Sequence, residues 1–398
     1  MRILLFTSSY APVTGGVQTV VRNLAKQLLS QGHEIRVVTN RYPVDLPARD
    51  MIDGVRVDRL LLLRPQLDQL RRRRLDLFAA SFYFAASNHW QLNRIVKEFR
   101  PQVVNVHFPE HQIDSVLRLR KQIDFRLVVS LHGHDVHQFV NGNGLQNGKR
   151  AALLRRLTTL LRSADAVTAV SENLLGEALQ IEPAIRTKAR VIPNGVEVEH
   201  FAAAAAYQHR RPYIFAVGRL VQAKGFDLLI EAFARLKARP DLIIAGSGEE
   251  FAALQQQVRV LGLADSVHFF GQASPDEVAE LIAGSLCVVI SSRSESFGIV
   301  ALEGLAAGKP VVATKTGGLE ELLKHLLTVR IEDKANGFNI TLVEPNVAGL
   351  TEGLEAMLTQ KTKVSYQPPA VPEDFGWRAV AARYEALLRQ GDQKGQFA

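Results

Sequence analysis

The sequence predicts an α/β protein of the doubly wound class, in which helices cover both faces of parallel sheets. Three observations support this prediction. Short β-branched and aliphatic runs alternate with longer segments of helical periodicity along almost the whole chain. The alternation starts again near residue 213, as two units in tandem would require. With 398 residues, the chain also exceeds the length at which one hydrophobic core usually divides.

The first predicted domain covers residues 1–191. It opens with the strand RILLFTS, the amphipathic helix VQTVVRNLAKQLLSQG and the strand EIRVVTN. Later strand candidates are VVNVHF, RLVVSLHG, AVTAVS and ARVIPNG, with helices predicted around 84–100, 111–122, 147–163 and 172–180. This order predicts parallel strands joined by crossover helices.

The second predicted domain covers residues 213–375 and begins at PYIFAVGRL. Its later strands include DLIIAGSG, LCVVISS and PVVATK, again with helical segments between them. The segment 192–212, which holds an alanine run, is predicted to be a hinge or linker. Residues 376–398 contain WRAVAARYEALLRQ, an amphipathic helix able to cross back and pack on either domain. Because ligands of open parallel sheets bind outside the carboxyl ends of strands, residues that follow strands are the site candidates.

The composition limits the class of protein. Hydrophobic residues at 47% and charged residues at 22% are typical of a globular chain. The single cysteine, Cys287, cannot form an internal disulfide and lies in an apolar run, which fits buried packing in a reducing cytoplasm. The first apolar run is too short for a secretory signal, and no segment reaches the roughly 20 apolar residues of a membrane span. A cytoplasmic location is therefore expected.

A glycine pair follows the first predicted strand, in the loop YAPVTGGVQ. Gly15 and Gly16 stand directly before a helix, where backbone N–H groups can approach an anion. A tight strand-to-helix turn explains the pair equally well. The G-x-G-x-x-G fingerprint of dinucleotide sites is missing from this loop.

Histidines follow a later strand in the segment LHGHDVH. His132 and His134 have the spacing of a possible metal-ligand pair, with Asp135 and His137 beside them. The sequence has no H-E-x-x-H motif, and the histidines later in the chain lack acidic neighbours at ligand spacing. A histidine facing a sugar or a phosphate is the favoured interpretation, and a metal site is the alternative.

Two cations follow the first strand of the second unit, in VGRLVQAKG. Arg219 and Lys224 on this glycine-flanked loop could neutralise a diphosphate without a protein-bound metal ion. The similar segment GLAAGKP is not a Walker A motif, because it is one residue short and ends on Pro310.

The segment SRSESFGIVALEG places two carboxylates eight residues apart. Glu295 is predicted in the loop after a strand, and Glu303 in the helix that begins near Gly298. The backbone N–H groups of Phe297 and Gly298 would be exposed at the helix N-terminus. Such a site would suit a nucleotide sugar. The two carboxylates could accept hydrogen bonds from sugar and ribose hydroxyls, and the backbone amides between them could bind the diphosphate. An acidic start that favours the helix dipole is the alternative.

Together these segments resemble one known family. The motifs, in chain order, are GGV, HGHD, IPNGVE, VGRLVQAKGFDLLIEAF, IAGSGEE, VHFFG and SESFGIVALEGLAAGKPVVATKTGGLEE. In this set the chain resembles the retaining glycosyltransferases of family four, the group 1 glycosyl transferases, which have the GT-B fold. The resemblance spans nearly the whole chain. It implies two facing Rossmann-like domains, with the acceptor bound mainly by the first and the nucleotide sugar mainly by the second.

The resemblance also implies roles for single residues. Arg219 and Lys224 match a diphosphate-binding pair, while Glu303 matches an acid that contacts the ribose. Glu295 matches an acid that binds sugar hydroxyls, and His132 matches a histidine near the donor sugar. The implied catalytic residues are His132, Arg219, Lys224 and Glu295. The implied donor-binding residues are Gly15, Gly16, Asn194, Gly218, Gly271, Phe297, Gly298, Ile299 and Glu303.

One stretch departs from the family pattern. The segment before Glu295 often begins with proline in the family, whereas it reads SSRSES in this chain. Arg293 and Ser294 are therefore expected to alter the sugar pocket.

The implied reaction is metal-independent transfer of a sugar from a nucleoside-diphosphate sugar, with UDP favoured, to a hydroxyl of a glycan, a lipid-linked intermediate or a small molecule. No cofactor is expected, and nucleic acid is not an expected partner. Retention would follow from same-face substitution through an oxocarbenium-like state, with the departing phosphate helping to deprotonate the acceptor. The alternatives are a zinc-dependent hydrolase using His132 and His134, and a nucleotide-sugar-binding protein, epimerase or phosphorylase of the same fold.

The charge is uneven along the chain. Residues 1–190 carry 28 Lys and Arg against 16 Asp and Glu, whereas residues 191–398 carry 20 against 24. Four arginines, Arg71, Arg72, Arg73 and Arg74, precede the apolar and aromatic stretch LDLFAASFYFAASNHW. This pattern suits a peripheral contact with the anionic inner face of the membrane, and it equally suits a core helix with a solvated basic start.

Overall fold

The computed structural model describes residues 1–62, 75–110, 112–140, 148–332, 340–359 and 371–390, and their side chains except at 75–86, 149 and 327–332. The described chain forms two compact units. The first unit comprises 1–170, 174–192 and the chain from Val380 onward, and the second comprises 171–173 and 193–379. Arg71–Arg74 lie outside the described residues.

The first unit is built on a sheet whose described strands are β1 (Arg2–Thr7), β2 (Glu34–Asn40), β3 (Arg49–Ile52), β4 (Val55–Leu60), β5 (Val103–His107), β6 (Arg126–Leu131), β7 (Ala166–Ala169) and β8 (Ala189–Val191). Their spatial order is β3-β4-β2-β1-β5-β6-β7-β8. Neighbouring strands are parallel except for β3 and β4, which form an antiparallel hairpin. The apolar residues Ile3–Phe6 of β1 are fully buried, as expected for a central parallel strand.

Helices connect these strands. They are α1 (Gly16–Ser30), α2 (Leu75–Phe99), α3 (Ile113–Arg120), α4 (His134–Val140), α5 (Gly148–Ser163) and α6 (Glu172–Ile181). The apolar spacing of α1 explains how it packs. Its buried face is formed by Val20, Val21, Leu24 and Leu28. Within the described ranges, no helix combines the length and apolar character needed to span a bilayer.

The second unit has a parallel sheet of β9 (Tyr213–Val217), β10 (Asp241–Ala245), β11 (Val267–Gly271), β12 (Val288–Ile290), β13 (Val311–Thr314) and β14 (Ile340–Val343). The spatial order is β11-β10-β9-β12-β13-β14. Its described helices are α7 (Val198–Ala202), α8 (Phe226–Ala234), α9 (Phe251–Val260), α10 (Pro275–Gly284), α11 (Ile299–Ala306), α12 (Gly317–Glu332), α13 (Val347–Thr359) and α14 (Trp377–Arg389). The doubly wound α/β class predicted from the sequence is confirmed.

Helix α14 is shared by the two units. Its first residues belong to the second unit, and from Val380 it belongs to the first. There the Glu385 carboxylate lies 3.0 Å from Nε2 of His33, and the Tyr384 hydroxyl lies 3.4 Å from that of Thr168. The segment 192–212, predicted as a linker, contains the short helix α7 and belongs to the second unit from Pro193 onward.

The strand orders locate the candidate sites. In the second sheet, β9 lies between β10 and β12, so the connections leaving β9 and β12 run in opposite directions. In the first sheet, β1 lies between β2 and β5 in the same way. Such a reversal opens a crevice at the carboxyl ends of the two central strands. The loops after β9 and β12 are those that carry Arg219, Lys224 and Glu295.

Candidate functional site

In the first unit, the glycine loop ends where α1 begins. Gly15 precedes the helix and Gly16 is its first residue, and no side chain caps the helix N-terminus. Its first backbone N–H groups are therefore oriented as an anion site requires. The structure places Gly15 and Gly16 where the sequence predicted them, at the carboxyl end of β1.

His132 follows β6 and pairs with a second histidine. Its Nε2 atom lies 3.1 Å from Nδ1 of His107, the last residue of β5, and the two rings stack with centroids 5.3 Å apart. Burial lowers the pKa of His132 to about 4 and depresses the pKa of His107 as well. His132 is therefore a neutral imidazole at neutral pH, and among the described residues its Nδ1 atom has no hydrogen-bond partner. This pairing of histidines 25 residues apart was not predicted from the sequence.

Asp135 holds the backbone next to His132. Its carboxylate accepts from the backbone N–H groups of His132, at 3.2 Å, and Gly133, at 2.7 Å. Burial raises the pKa of Asp135 to about 6 despite these hydrogen bonds. Asp135 thus shapes the turn into α4, whereas His134 is exposed and stacks on Phe108.

A possible metal-ligand group occurs elsewhere. Among the described residues, the side chains that could share an ion are His209, Asp241 and His268, with the Asp241 carboxylate 2.8 and 3.2 Å from the two Nε2 atoms. Asp241 opens β10, so this group lies at the amino ends of the strands, opposite the edge where ligands bind. Arg211 also lies 3.1 Å from Asp241, and this positive charge disfavours a divalent cation. His132 and His134 gain no third ligand from the described part of the chain.

In the second unit, the loop after β9 presents two cations. Arg219 is exposed, and within the described ranges no carboxylate lies close enough to form an ion pair with its guanidinium. Lys224 ends the 3₁₀ turn Gln222–Lys224. Its ammonium group lies 2.5 Å from the carboxylate of Glu295, which stands in the loop after β12. The structure therefore brings Lys224 and Glu295 into direct contact at the crevice.

The charge state of Glu295 follows from this contact. Burial alone would raise the pKa of Glu295, but the charge and hydrogen bond of Lys224 hold it below the ordinary value. The Ser292 hydroxyl donates a further hydrogen bond at 3.3 Å. Glu295 is therefore an ionised carboxylate that can accept hydrogen bonds from hydroxyl groups.

A diglycine segment supports the Glu295 loop. Gly318 donates its backbone N–H to the Glu295 carbonyl at 2.9 Å, and a Cβ atom at Gly318 would lie 1.9 Å from the Ser296 carbonyl oxygen. Gly317 has a φ of 47°, a conformation that favours glycine. The Ser171 hydroxyl donates to the Ser296 carbonyl at 2.8 Å. Sequence reasoning missed this support, although Gly-Gly directly after the strand PVVATK was a signal for it.

Helix α11 carries the remaining part of this site. Gly298 precedes it in a left-handed conformation, and no side chain caps it, so backbone N–H groups from Phe297 to Ile299 lie at an open helix start. Glu303 is in the second turn. Burial raises the pKa of Glu303 to about 7, with no neighbouring charge or hydrogen bond among the described residues to offset it. Among the described residues, Glu303 is therefore a carboxyl group without a hydrogen-bond partner, and at neutral pH it can donate as well as accept.

Backbone contacts stack the loops after β9, β10 and β11. Gly246 donates to the Gly271 carbonyl at 2.7 Å, and a Cβ atom at Gly246 would lie 1.9 Å from the Gly218 carbonyl oxygen. Gly218 and Gly271 thus lie at the same edge of the sheet as Lys224. Asn194 is buried beside Gly195, which the Trp377 ring covers. Among the described residues, no hydrogen bond joins Asn194 to the Lys224 and Glu295 loops.

Family models match both parts of the chain. Residues 199–366 match the model of the glycosyl transferases group 1, and residues 14–200 match the model of Glycosyltransferase Family 4. An uncharacterized glycosyltransferase of Methanocaldococcus jannaschii is 30% identical over 342 residues, covering 82% of this chain and 83% of the relative.

Solved structures match the fold. Sucrose-phosphate synthase from Thermosynechococcus elongatus has a TM-score of 0.78 at 20% identity, covering 99% of this chain and 100% of that one. Anabaena HepE, solved in complex with UDP-glucose, has a TM-score of 0.67 at 20% identity, covering 99% of each chain. The fold is GT-B. The two family models and the Methanocaldococcus jannaschii relative show that the chain belongs to the group 1 glycosyltransferases of family four.

Proposed function

We propose that this protein transfers a sugar from a nucleoside-diphosphate sugar to a hydroxyl acceptor, with retention of configuration and without a metal ion. The observation that carries the proposal is the contact of Lys224 with Glu295 at the crevice between β9 and β12. It places a cation for a diphosphate beside an ionised acceptor for sugar hydroxyls. UDP is the favoured nucleotide because Anabaena HepE, which shares the fold, was solved with UDP-glucose.

The binding chemistry matches the parts of a nucleotide sugar. Arg219 and Lys224 supply two positive charges for the diphosphate, and the open start of α11 supplies backbone N–H donors. Glu303 would accept from ribose hydroxyls, since its carboxyl group has no other partner among the described residues. Because the cations neutralise the diphosphate themselves, the site does not require Mg²⁺ to do so.

The same residues would act during the transfer. As the bond from the sugar to the diphosphate breaks, negative charge grows on the leaving phosphate, and Lys224 and Arg219 would stabilise it. Glu295 would hold the sugar through its hydroxyls while positive charge develops at the anomeric carbon. The acceptor hydroxyl then attacks from the face that the phosphate leaves, and a phosphate oxygen takes its proton. In this scheme no protein carboxylate forms a bond to the sugar.

The test is donor turnover by purified protein and by two variants. UDP-, GDP- and ADP-sugars are each incubated with EDTA, and transfer or donor hydrolysis is measured. Lys224→Ala is expected to lower kcat by about 10²-fold or more, by analogy with the loss of one oxyanion donor. Because Glu295 then loses its paired charge, some loss of melting temperature is expected, but in free energy it should be smaller than the loss in kcat, since Glu295 can take up a proton instead. Glu295→Gln should preserve the size and shape of this side chain but weaken sugar binding, because the negative charge is lost.

Three outcomes would contradict the proposal. Absence of turnover with every donor would favour a protein that only binds nucleotide sugars. Loss of activity with EDTA that Zn²⁺ or Mg²⁺ restores would contradict the metal-free site. Equal losses of kcat and folding stability in Lys224→Ala would show that Lys224 serves the fold rather than the reaction.

A further inference from the structure

We propose that Arg293 is a positioning residue, which fixes the turn that carries Lys224 and so keeps the Lys224 ammonium where the diphosphate binds. The inference rests on the proposed function. It gives a specific role to Arg293, a residue that was expected from the sequence to alter the sugar pocket.

The guanidinium of Arg293 reaches across to the Lys224 loop. Its two terminal nitrogens donate to the Asp227 carboxylate, Nη1 to Oδ1 and Nη2 to Oδ2, each at 2.6 Å. Nη1 also donates to the Gln222 carbonyl at 2.9 Å. This forked geometry is specific to arginine, because lysine offers one point charge in place of a planar pair of donors.

Other groups of the segment 291–294 also bind the turn Gln222–Lys224. The Ala223 carbonyl accepts from the backbone N–H groups of Arg293, at 2.8 Å, and Ser294, at 3.3 Å. The Lys224 carbonyl accepts from the Ser291 hydroxyl at 3.0 Å. The carbonyls of all three residues in the turn Gln222–Lys224 are thus bound by the segment 291–294. Only the Gln222 carbonyl and Asp227 depend on the Arg293 side chain.

The bonds of the Arg293 side chain lie close to Lys224 in the chain. Arg293 binds Gln222, the first residue of the 3₁₀ turn, and Asp227, which lies in the first turn of α8. The two bound residues therefore stand on either side of Lys224 in the sequence. Gly225, with a φ of 63°, joins the turn to the helix. A Cβ atom at Gly225 would lie 2.1 Å from the Ser291 carbonyl oxygen, so the two loops are already in close approach. Loss of the side-chain bonds should therefore shift the turn rather than separate the loops.

The energetic effect should appear in catalysis rather than in folding. The Arg293 and Asp227 side chains are 33% and 41% exposed, and exposed ion pairs contribute about 1 kcal/mol or less to stability. Transition-state stabilisation is far more sensitive, because a displacement of about 1 Å can cost about 10²-fold in rate. We expect Arg293→Ala to lower kcat by about 10- to 100-fold while lowering Tm by no more than about 4 °C.

A double-mutant cycle tests the mechanism. Arg293→Ala is made in the wild-type and in the Lys224→Ala background, and kcat, KM and UDP affinity by calorimetry are measured for all four proteins. If Arg293 acts through Lys224, its loss should cost less than about twofold in kcat when Lys224 is already absent. Arg293→Lys should resemble Arg293→Ala, since the fork is lost while the charge remains.

Arg235→Ala is the matched control. Arg235 forms a comparable exposed ion pair at 2.6 Å with Glu231, at the far end of α8. Its removal should leave kcat and UDP affinity unchanged.

A loss of more than about twofold from Arg293→Ala in the Lys224→Ala background would overturn the inference, because Arg293 would then act by a route other than Lys224. Equal activity of Arg293→Ala and Arg235→Ala would overturn it too. If wild type turns over the donor and Lys224→Ala does so about 10²-fold more slowly, either of these failures leaves the proposed function intact. Absence of both turnover and UDP binding in wild type would refute the proposed function and this inference with it.

Discussion

At the scale of single residues, the site uses two carboxylates in opposite states. Glu295 is held ionised by Lys224, whereas burial raises the pKa of Glu303 to about 7. The two residues lie on one loop and the helix that follows it. One is therefore fixed as an acceptor before ligand binds, and the other is near its titration midpoint at neutral pH. Neighbouring carboxyl groups whose pKa values are shifted in opposite directions are common at functional sites.

Glu303 gives a prediction for stability against pH. Its folded pKa, about 7, exceeds the ordinary value of 4.5, so the unfolded chain releases this proton first. The contribution of Glu303 to folding is thus retained below about pH 4.5 and is lost as pH rises toward 7. We expect Glu303→Gln to gain stability relative to wild type by on the order of 1 kcal/mol or more between pH 5 and pH 8, without nucleotide. Urea unfolding at both pH values measures this; an identical pH slope in the two proteins would contradict it.

At the scale of elements, the loops after β9, β12 and β13 are joined to one another by backbone hydrogen bonds. Gly318, at the start of α12, allows the Glu295 loop to approach because a Cβ atom there would lie 1.9 Å from the Ser296 carbonyl oxygen. We predict that Gly318→Ala displaces this loop, lowering kcat by about 10²-fold and stability by about 1–3 kcal/mol. Gly176→Ala in α6 is the control, because nothing lies within 4 Å of its Cβ position. The control should be as stable as wild type or more so. Full activity of Gly318→Ala would show that the loop adapts.

Element by element, the sequence predicted the parts that follow from local pattern. Hydrophobic periodicity gave the alternating strands and helices, and the rule for parallel sheets placed Lys224 and Glu295 at one edge. The β3–β4 hairpin was missed because its strands are short and polar, although the turn at Asp53 and Gly54, both with positive φ, carries the Asp-Gly signal of a tight hairpin. The link from Arg293 to Asp227 spans 66 residues. Periodicity does not report such pairs, because they depend on how two loops meet in space.

At the scale of the whole molecule, donor binding should stabilise the folded chain, which gives a prediction independent of acceptor and linkage. A ligand that binds only the folded state contributes about 2.7 kcal/mol at 100 times its Kd. We expect UDP to raise the melting temperature by several degrees, GDP and ADP to raise it less, and EDTA to leave the shift unchanged, because Arg219 and Lys224 supply the charge that a metal would otherwise provide. Scanning fluorimetry of wild type, Lys224→Ala and Arg235→Ala measures this. The shift should be lost in Lys224→Ala and kept in Arg235→Ala. A shift that EDTA abolishes would assign the diphosphate to a metal ion instead of these cations, and a larger shift with GDP or ADP would replace UDP as the donor nucleotide while leaving the cation site in place.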